Sequence, residues 1–129
     1  MLNSIPRAIV IGHGDFAAGI ASAVAQITGR SDALVTISNR GLSGDSIEQE
    51  LAAAVEESGA RVIFTDLPGG SATIAARRVI RSREGLTLVA GVNLAILLDF
   101  VMSEDSDRRA AAQHAAERGK AAITLVGGS

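Results

Sequence analysis

An α/β domain whose mostly parallel sheet is covered on both faces is the fold class that this sequence predicts. Three observations carry that expectation. Short β-branched runs alternate with longer amphipathic segments from one end of the chain to the other. Those short runs are continuously apolar rather than alternating, the pattern of strands buried on both sides. An apolar share of 47% with only 2% aromatic also requires a core of Ala, Val, Ile and Leu, small side chains that suit close packing of helices on a sheet.

Taken in order, the first run is Ala8 to Ile11, ending in Gly12-His13-Gly14, with a helix from about Asp15 to Ile27. The second, Ala33 to Ile37, opens into the polar loop Ser38 to Gly44. A helix follows with a capping-box pattern, Asp45 at the cap and Glu48 three residues later. The third run, Arg61 to Thr65, stops at Asp66-Leu67-Pro68-Gly69-Gly70-Ser71 before a helix from about Ala72 to Ser82. The fourth, Leu86 to Ala90, passes through Gly91-Val92-Asn93 into a helix reaching about Met102. After the polar Ser103 to Asp107 comes an Ala-rich helix to about Arg118, then a fifth candidate strand, Ala122 to Val126. That last run is the odd member; antiparallel pairing and pairing with a neighbouring subunit both fit it.

Several function classes fall away on bulk properties. With 129 residues and no repeat, low-complexity tract or linker, residues 1–129 are expected to form one domain. A net charge of −2 argues against a nucleic-acid binder, which would carry a basic excess. Without cysteine there is no disulfide framework, thiolate metal site or catalytic thiol. Met1 to Arg7 lack the charged-then-apolar layout of a signal peptide. No apolar run approaches the ~20 residues that cross a bilayer. A cytoplasmic location is therefore expected, and no cofactor or metal is called for.

In open α/β sheets, ligands bind beyond the carboxyl ends of the strands, where strand order reverses. With the order 2-1-3-4, that switch falls between the first and third strands. It sets Gly12-His13-Gly14 beside Asp66 to Ser71, so that His13, Asp66 and Ser71 converge. His13 sits between glycines that leave room for a bulky group, and its ring nitrogen is a competent nucleophile toward phosphorus. The unpaired N–H groups of the following helix would stabilise phosphoryl oxygens. Asp66 reads either as a turn former or as the carboxylate that orients the imidazole. Ser71 reads as a helix cap, as a phosphate ligand, or as both. Gly69 and Gly70 allow the backbone near them close to an anion.

Competing motifs are weaker. Gly12-His13-Gly14-Asp15-Phe16-Ala17 matches the dinucleotide fingerprint, but the second strand ends at Ser38-Asn39 with no acid to hold a ribose. Ser71 lacks the G-x-S-x-G elbow of a hydrolase. Gly119-Lys120 lacks the rest of a P-loop. His114 reads as an exposed helix residue, and Arg77, Arg78, Arg81 and Arg83 as a solvated face. Two histidines and scattered carboxylates make no convincing metal site.

Three segments, Ile9 to Gly14, Phe64 to Ser71 and Val89 to Leu94, together resemble the enzyme IIA domain of the mannose-type sugar phosphotransferase system, in order and spacing and over nearly the whole chain. The resemblance implies that His13 accepts a phosphoryl group from phospho-HPr and passes it to enzyme IIB, serving membrane IIC and IID components indirectly. It matches Asp66 to the carboxylate that orients His13 and Ser71 to a hydroxyl near the phosphate; Gly14, Gly69 and Gly70 are expected to bind the phosphate beside Ser71. It matches Asn93 to a G-V-N block that positions backbone. It also implies a homodimer that exchanges its last strands, which accounts for Ala122 to Val126. A regulatory module switched by phosphorylation of His13, and the related phosphocarrier subunit of dihydroxyacetone kinases, are the alternatives. The block Gly91-Val92-Asn93 and the run Gly69-Gly70-Ser71 fit the mannose-type family better than the latter. Phe16 and Leu67 lie next to the site and are either docking surface or core; Arg40, with Asn39, belongs to the loop Ser38 to Gly44, and its partner contacts are unassigned.

Overall fold

A computed structural model describes residues 8–128, so the reading of Met1 to Arg7 lies outside the described residues. Four parallel strands, β1 (Ala8–Gly12), β2 (Leu34–Ser38), β3 (Val62–Thr65) and β4 (Thr87–Ala90), form one sheet in the order β2-β1-β3-β4. The predicted order and the predicted reversal between β1 and β3 are both present. Five helices join and follow the strands: α1 (Phe16–Thr28), α2 (Gly44–Ser58), α3 (Ser71–Ser82), α4 (Leu94–Met102) and α5 (Arg108–Ala121).

The apolar strand residues face one of two cores, because side chains alternate across a sheet. Ala8, Val10, Val62 and Phe64 pack against Ala17 and Val24 of α1, Leu97 and Phe100 of α4, and Ala111 and Ala115 of α5. Ile9, Ile11, Ile37 and Ile63 pack against Ile47, Leu51 and Val55 of α2 and Ala72, Ala76 and Val79 of α3. β1 is buried throughout, which explains its unbroken apolar run. Phe64 and Phe100 meet edge to face with ring centroids 5.2 Å apart, the only aromatic ring pair among the described residues.

Two local expectations are corrected. α2 is capped by Ser43, whose Oγ accepts from the Ser46 N–H, rather than by Asp45. Asp45 lies inside the first turn, where a carboxylate favours the partially positive helix end without capping it. Glu48 reaches across to Arg78 at 3.6 Å instead of folding back. Arg83 likewise bonds Glu56 at 3.1 Å, so part of the expected solvated arginine face ties α3 to α2.

The run Ala122 to Val126 forms no strand within the single chain. α5 continues to Ala121, past the expected end, and residues 123–128 have no regular secondary structure. Leu125 there is 95% exposed, and β4 remains an edge of the sheet. His114, expected as a plain exposed residue, donates from Nδ1 to Asp99 Oδ2 at 2.8 Å and so links α5 to α4. Among the described residues no helix is long and apolar enough to cross a membrane.

Gly119 explains the glycine that sequence reading left without a use. A Cβ there would fall inside the Ile96 side chain and 3.0 Å from Asn93 Oδ1. The missing side chain lets α5 close on α4, and Gly119 O accepts from Asn93 Nδ2 at 3.2 Å. Gly119→Ala is expected to destabilise the fold by about 1–3 kcal/mol through overpacking. Urea unfolding of the variant against the parent measures this, as a lower midpoint at unchanged slope.

Candidate functional site

The site is assembled where β1 and β3 end side by side. β1 and β3 pair in parallel as far as Ile11↔Thr65, so the two strands end at nearly the same level. Gly12 closes β1 and His13 follows it, and Asp66 follows β3. One carboxylate oxygen, Asp66 Oδ2, accepts from the His13 backbone N–H at 2.9 Å and from ring Nδ1 at 2.8 Å. His13 is thereby held at two points, backbone and ring, by one acceptor. His13 is half exposed, whereas the Asp66 side chain is only 10% exposed.

Burial pushes the Asp66 carboxyl up, but the hydrogen bonds from the His13 backbone and ring, its attraction to the ring and its own N–H more than offset this. Its pKa lies below the ordinary 3.8. A carboxylate held ionised only accepts hydrogen bonds, so Nδ1 of His13 carries the proton. In the neutral ring this leaves the Nε2 lone pair free. The backbone at Gly70 stands against that nitrogen: a Cβ there would lie 3.5 Å from His13 Cε1 and 4.0 Å from Nε2. Gly70 also has φ +94°, a conformation open to glycine and strained for other residues.

Gly12 is a requirement that the sequence reading missed. Its flanking role was read as space for an incoming group, yet the space is filled by Asp66. A Cβ at Gly12 would stand 2.9 Å from both Asp66 Cγ and Oδ2, and 3.0 Å from Phe16 Cδ2. Two buried threonines, also missed, hold the loop that carries Asp66. Thr73 Oγ1 donates to Leu67 O at 2.5 Å and lies 2.7 Å from Thr65 Oγ1. The only sequence signal for them is a hydroxyl at a core-facing position on each side of the Pro-Gly-Gly turn.

The other expected residues are placed as follows. Ser71 opens α3 but does not cap it: the cap position is Gly70, with no side-chain cap bond. Ser71 Oγ instead accepts from Asn39 Nδ2 at 3.4 Å, joining the loop after β2 to the start of α3. Gly14, with φ +51°, lies under the Arg40 guanidinium, whose Nη2 would be 3.3 Å from a Cβ. Gly69 has open space around it. Asn93 caps α4 by accepting from the Ile96 N–H, a backbone-positioning role. Leu67 is half exposed, while Phe16 packs partly against the core. Among the described residues no group of three or more His, Asp or Glu is placed to hold a metal ion.

Because Asp66 has a lowered pKa in the folded chain, its contribution to stability is present above 3.8 and lost as pH falls through the lower folded value. The stability gap between the parent and Asp66→Asn, read by urea melts, is therefore expected at pH 7 and should close toward pH 3. A gap that stays constant over that range rejects the His13–Asp66 bonds as its source.

Comparison with known proteins bears on the fold and the family. The family model described as the PTS system fructose IIA component matches residues 7–117. No match is found among curated proteins. The mannose/sorbose specific IIA subunit of the phosphotransferase system from Enterococcus faecalis superposes with a TM-score of 0.82 at 24% identity, covering 96% of each chain. The PTS IIA protein associated with the fucose utilization operon of Streptococcus pneumoniae gives 0.77 at 21%, covering 95% of this chain and 94% of that one. A sigma-54 interaction domain protein from Enterococcus faecalis gives 0.65 at 15%, covering 87% and 91%. At these identities the structures show a shared fold, whereas the family model spans most of the sequence. The chain belongs to the family of phosphotransferase-system fructose IIA components, mannose type.

Proposed function

We propose that this chain is a phosphocarrier that accepts a phosphoryl group from phospho-HPr on His13 Nε2 and passes it to enzyme IIB. The observation that carries the reading is the double hydrogen bond from His13 to Asp66 Oδ2, which leaves Nε2 as the one available ring nucleophile. In the transfer, the Nε2 lone pair forms a bond to phosphorus while the donor's N–P bond breaks and its electron pair leaves with the donor imidazole. The ring then gains positive character, and Asp66 stabilises it through Nδ1–H. The onward step is the same displacement in reverse, with the acceptor histidine of enzyme IIB as nucleophile. Gly14, Gly69, Gly70 and Ser71 surround the phosphoryl position in this reading, with backbone N–H groups at the start of α3 facing the charge.

Donor and acceptor must approach the same nitrogen, so both dock on the face around His13 in turn. Leu67, exposed beside the site, is the apolar contact we assign to both, and such interfaces are modest and transient. Cytoplasmic placement and service to membrane IIC and IID components follow from the same role. We also assign the exposed tail after α5 to the open β4 edge of a second copy. That would cover Ile123, Leu125 and Val126 and complete a homodimer. Regulation of a partner protein through phospho-His13 would use the same chemistry; the fold shared with the sigma-54 interaction domain protein is what keeps that second reading in view.

Incubation with phosphoenolpyruvate, enzyme I and HPr is expected to place acid-labile, base-stable phosphate on the chain. His13→Ala should abolish it, and Asp66→Asn should keep the fold but slow transfer about 10-fold or more in rapid-quench measurements. Label that survives in His13→Ala would sink the proposal.

A further inference from the structure

Two charged side chains beside His13 have no part in the reading above. Asp15 lies two residues beyond His13, and Arg40 reaches it from the loop after β2, with Nη2 3.3 Å from Oδ1. The same Nη2 stands over Gly14, at 3.3 Å from the position of a Cβ, so the guanidinium overhangs the residue adjoining the nucleophile. A side chain at Gly14 would crowd it.

The loop holding Arg40 is fixed to both halves of the site. The Asn39 N–H donates to Gly12 O at 3.0 Å, Asn39 Nδ2 donates to Ser71 Oγ at 3.4 Å, and the Arg40 N–H donates to Ser38 Oγ at 3.1 Å. The backbone is anchored at the rim, while the side chain is two-thirds exposed and free to turn. Its present partner holds it weakly, since an exposed single-contact ion pair gains little in water. Asp15 makes no capping bond to α1, so that carboxylate has no capping task at the helix start.

We propose that phosphorylation of His13 draws Arg40 off Asp15 and onto the phosphoryl oxygens. The inference rests on the phosphocarrier reading and adds a residue to it. A phosphoryl group brings about −1.5 to −2 charges and three acceptor oxygens, against the single charge of Asp15. The guanidinium fork matches such oxygens two at a time. Asp15 is then an internal stand-in anion: it parks the arginine beside the empty site and is left bare when the phosphate arrives. The face seen by partners thus changes in two places at once, which distinguishes the loaded carrier from the empty one.

The test phosphorylates His13 with phosphoramidate, a small donor that needs no partner protein, and titrates the phosphoryl group by phosphorus NMR. Arg40→Ala is expected to raise the proton affinity of the phosphoryl group about three- to tenfold. Asp15→Asn should lower it, because Arg40 is no longer competed for, and should have no effect once Arg40 is already alanine. Additive effects of the two substitutions, the mark of a distant field without exchange, overturn the proposal, as do two unchanged titrations. If the parent chain takes no phosphate on His13, the phosphocarrier reading fails, and this one with it. If it does and only the variants disagree, Arg40 alone is wrongly assigned.

Discussion

Asp66 Oδ2 accepts two hydrogen bonds from one residue, the backbone N–H and the ring Nδ1 of His13, and the rest of the site is arranged around that oxygen. The double contact crosses from the end of β1 to the end of β3, so it exists only if those strands are neighbours. It also needs the carboxylate nearly out of water yet still charged. Burial alone would favour the protonated acid; two short donors on one oxygen are what hold the ionised form. The consequence is directional chemistry, with one ring nitrogen occupied and the other presented.

Support for this contact comes from groups that never touch the reacting atoms. Gly12 supplies the absence of a side chain where Asp66 lies, since a Cβ at 2.9 Å would push the carboxylate away. Thr73 and Thr65 satisfy the Leu67 carbonyl from inside the core and fix the turn that carries Asp66. Behind them the two apolar layers differ in job. Ile9, Ile11 and Ile63 seat α2 and α3, which set the loop after β3, while Val10, Val62 and Phe64 seat α1, α4 and α5. A polar site of four or five residues is thus held rigid by a core built almost wholly of small and branched aliphatics.

Much of this was legible in the chain order. Continuous apolar runs made the parallel sheet readable, and the switch-point rule brought His13 to Asp66 from residues that are 53 apart in sequence. What stayed hidden depends on distances rather than on residue types. Gly12 could be read only as a gap, because nothing in a sequence says which side chain fills it. Ser43 and Asp45 are both good capping residues two positions apart, and only the backbone path decides between them. The fifth strand was readable as an apolar run, but residues 123–128 form no strand within the chain, and an apolar run says nothing of whether a pairing edge lies within its reach. Arg40 and Asn39 looked like loop polarity until the fold placed them at the rim of the site.

The central claim is that Asp66 reserves Nδ1 and so directs the phosphoryl group to Nε2. Nitrogen-15 labelling of the histidines, followed by phosphorylation and phosphorus–nitrogen correlation NMR, reads the bonded atom directly. The account predicts a one-bond coupling between phosphorus and Nε2 of His13, with Nδ1 retaining its proton. Phosphorus coupled to Nδ1 would contradict it.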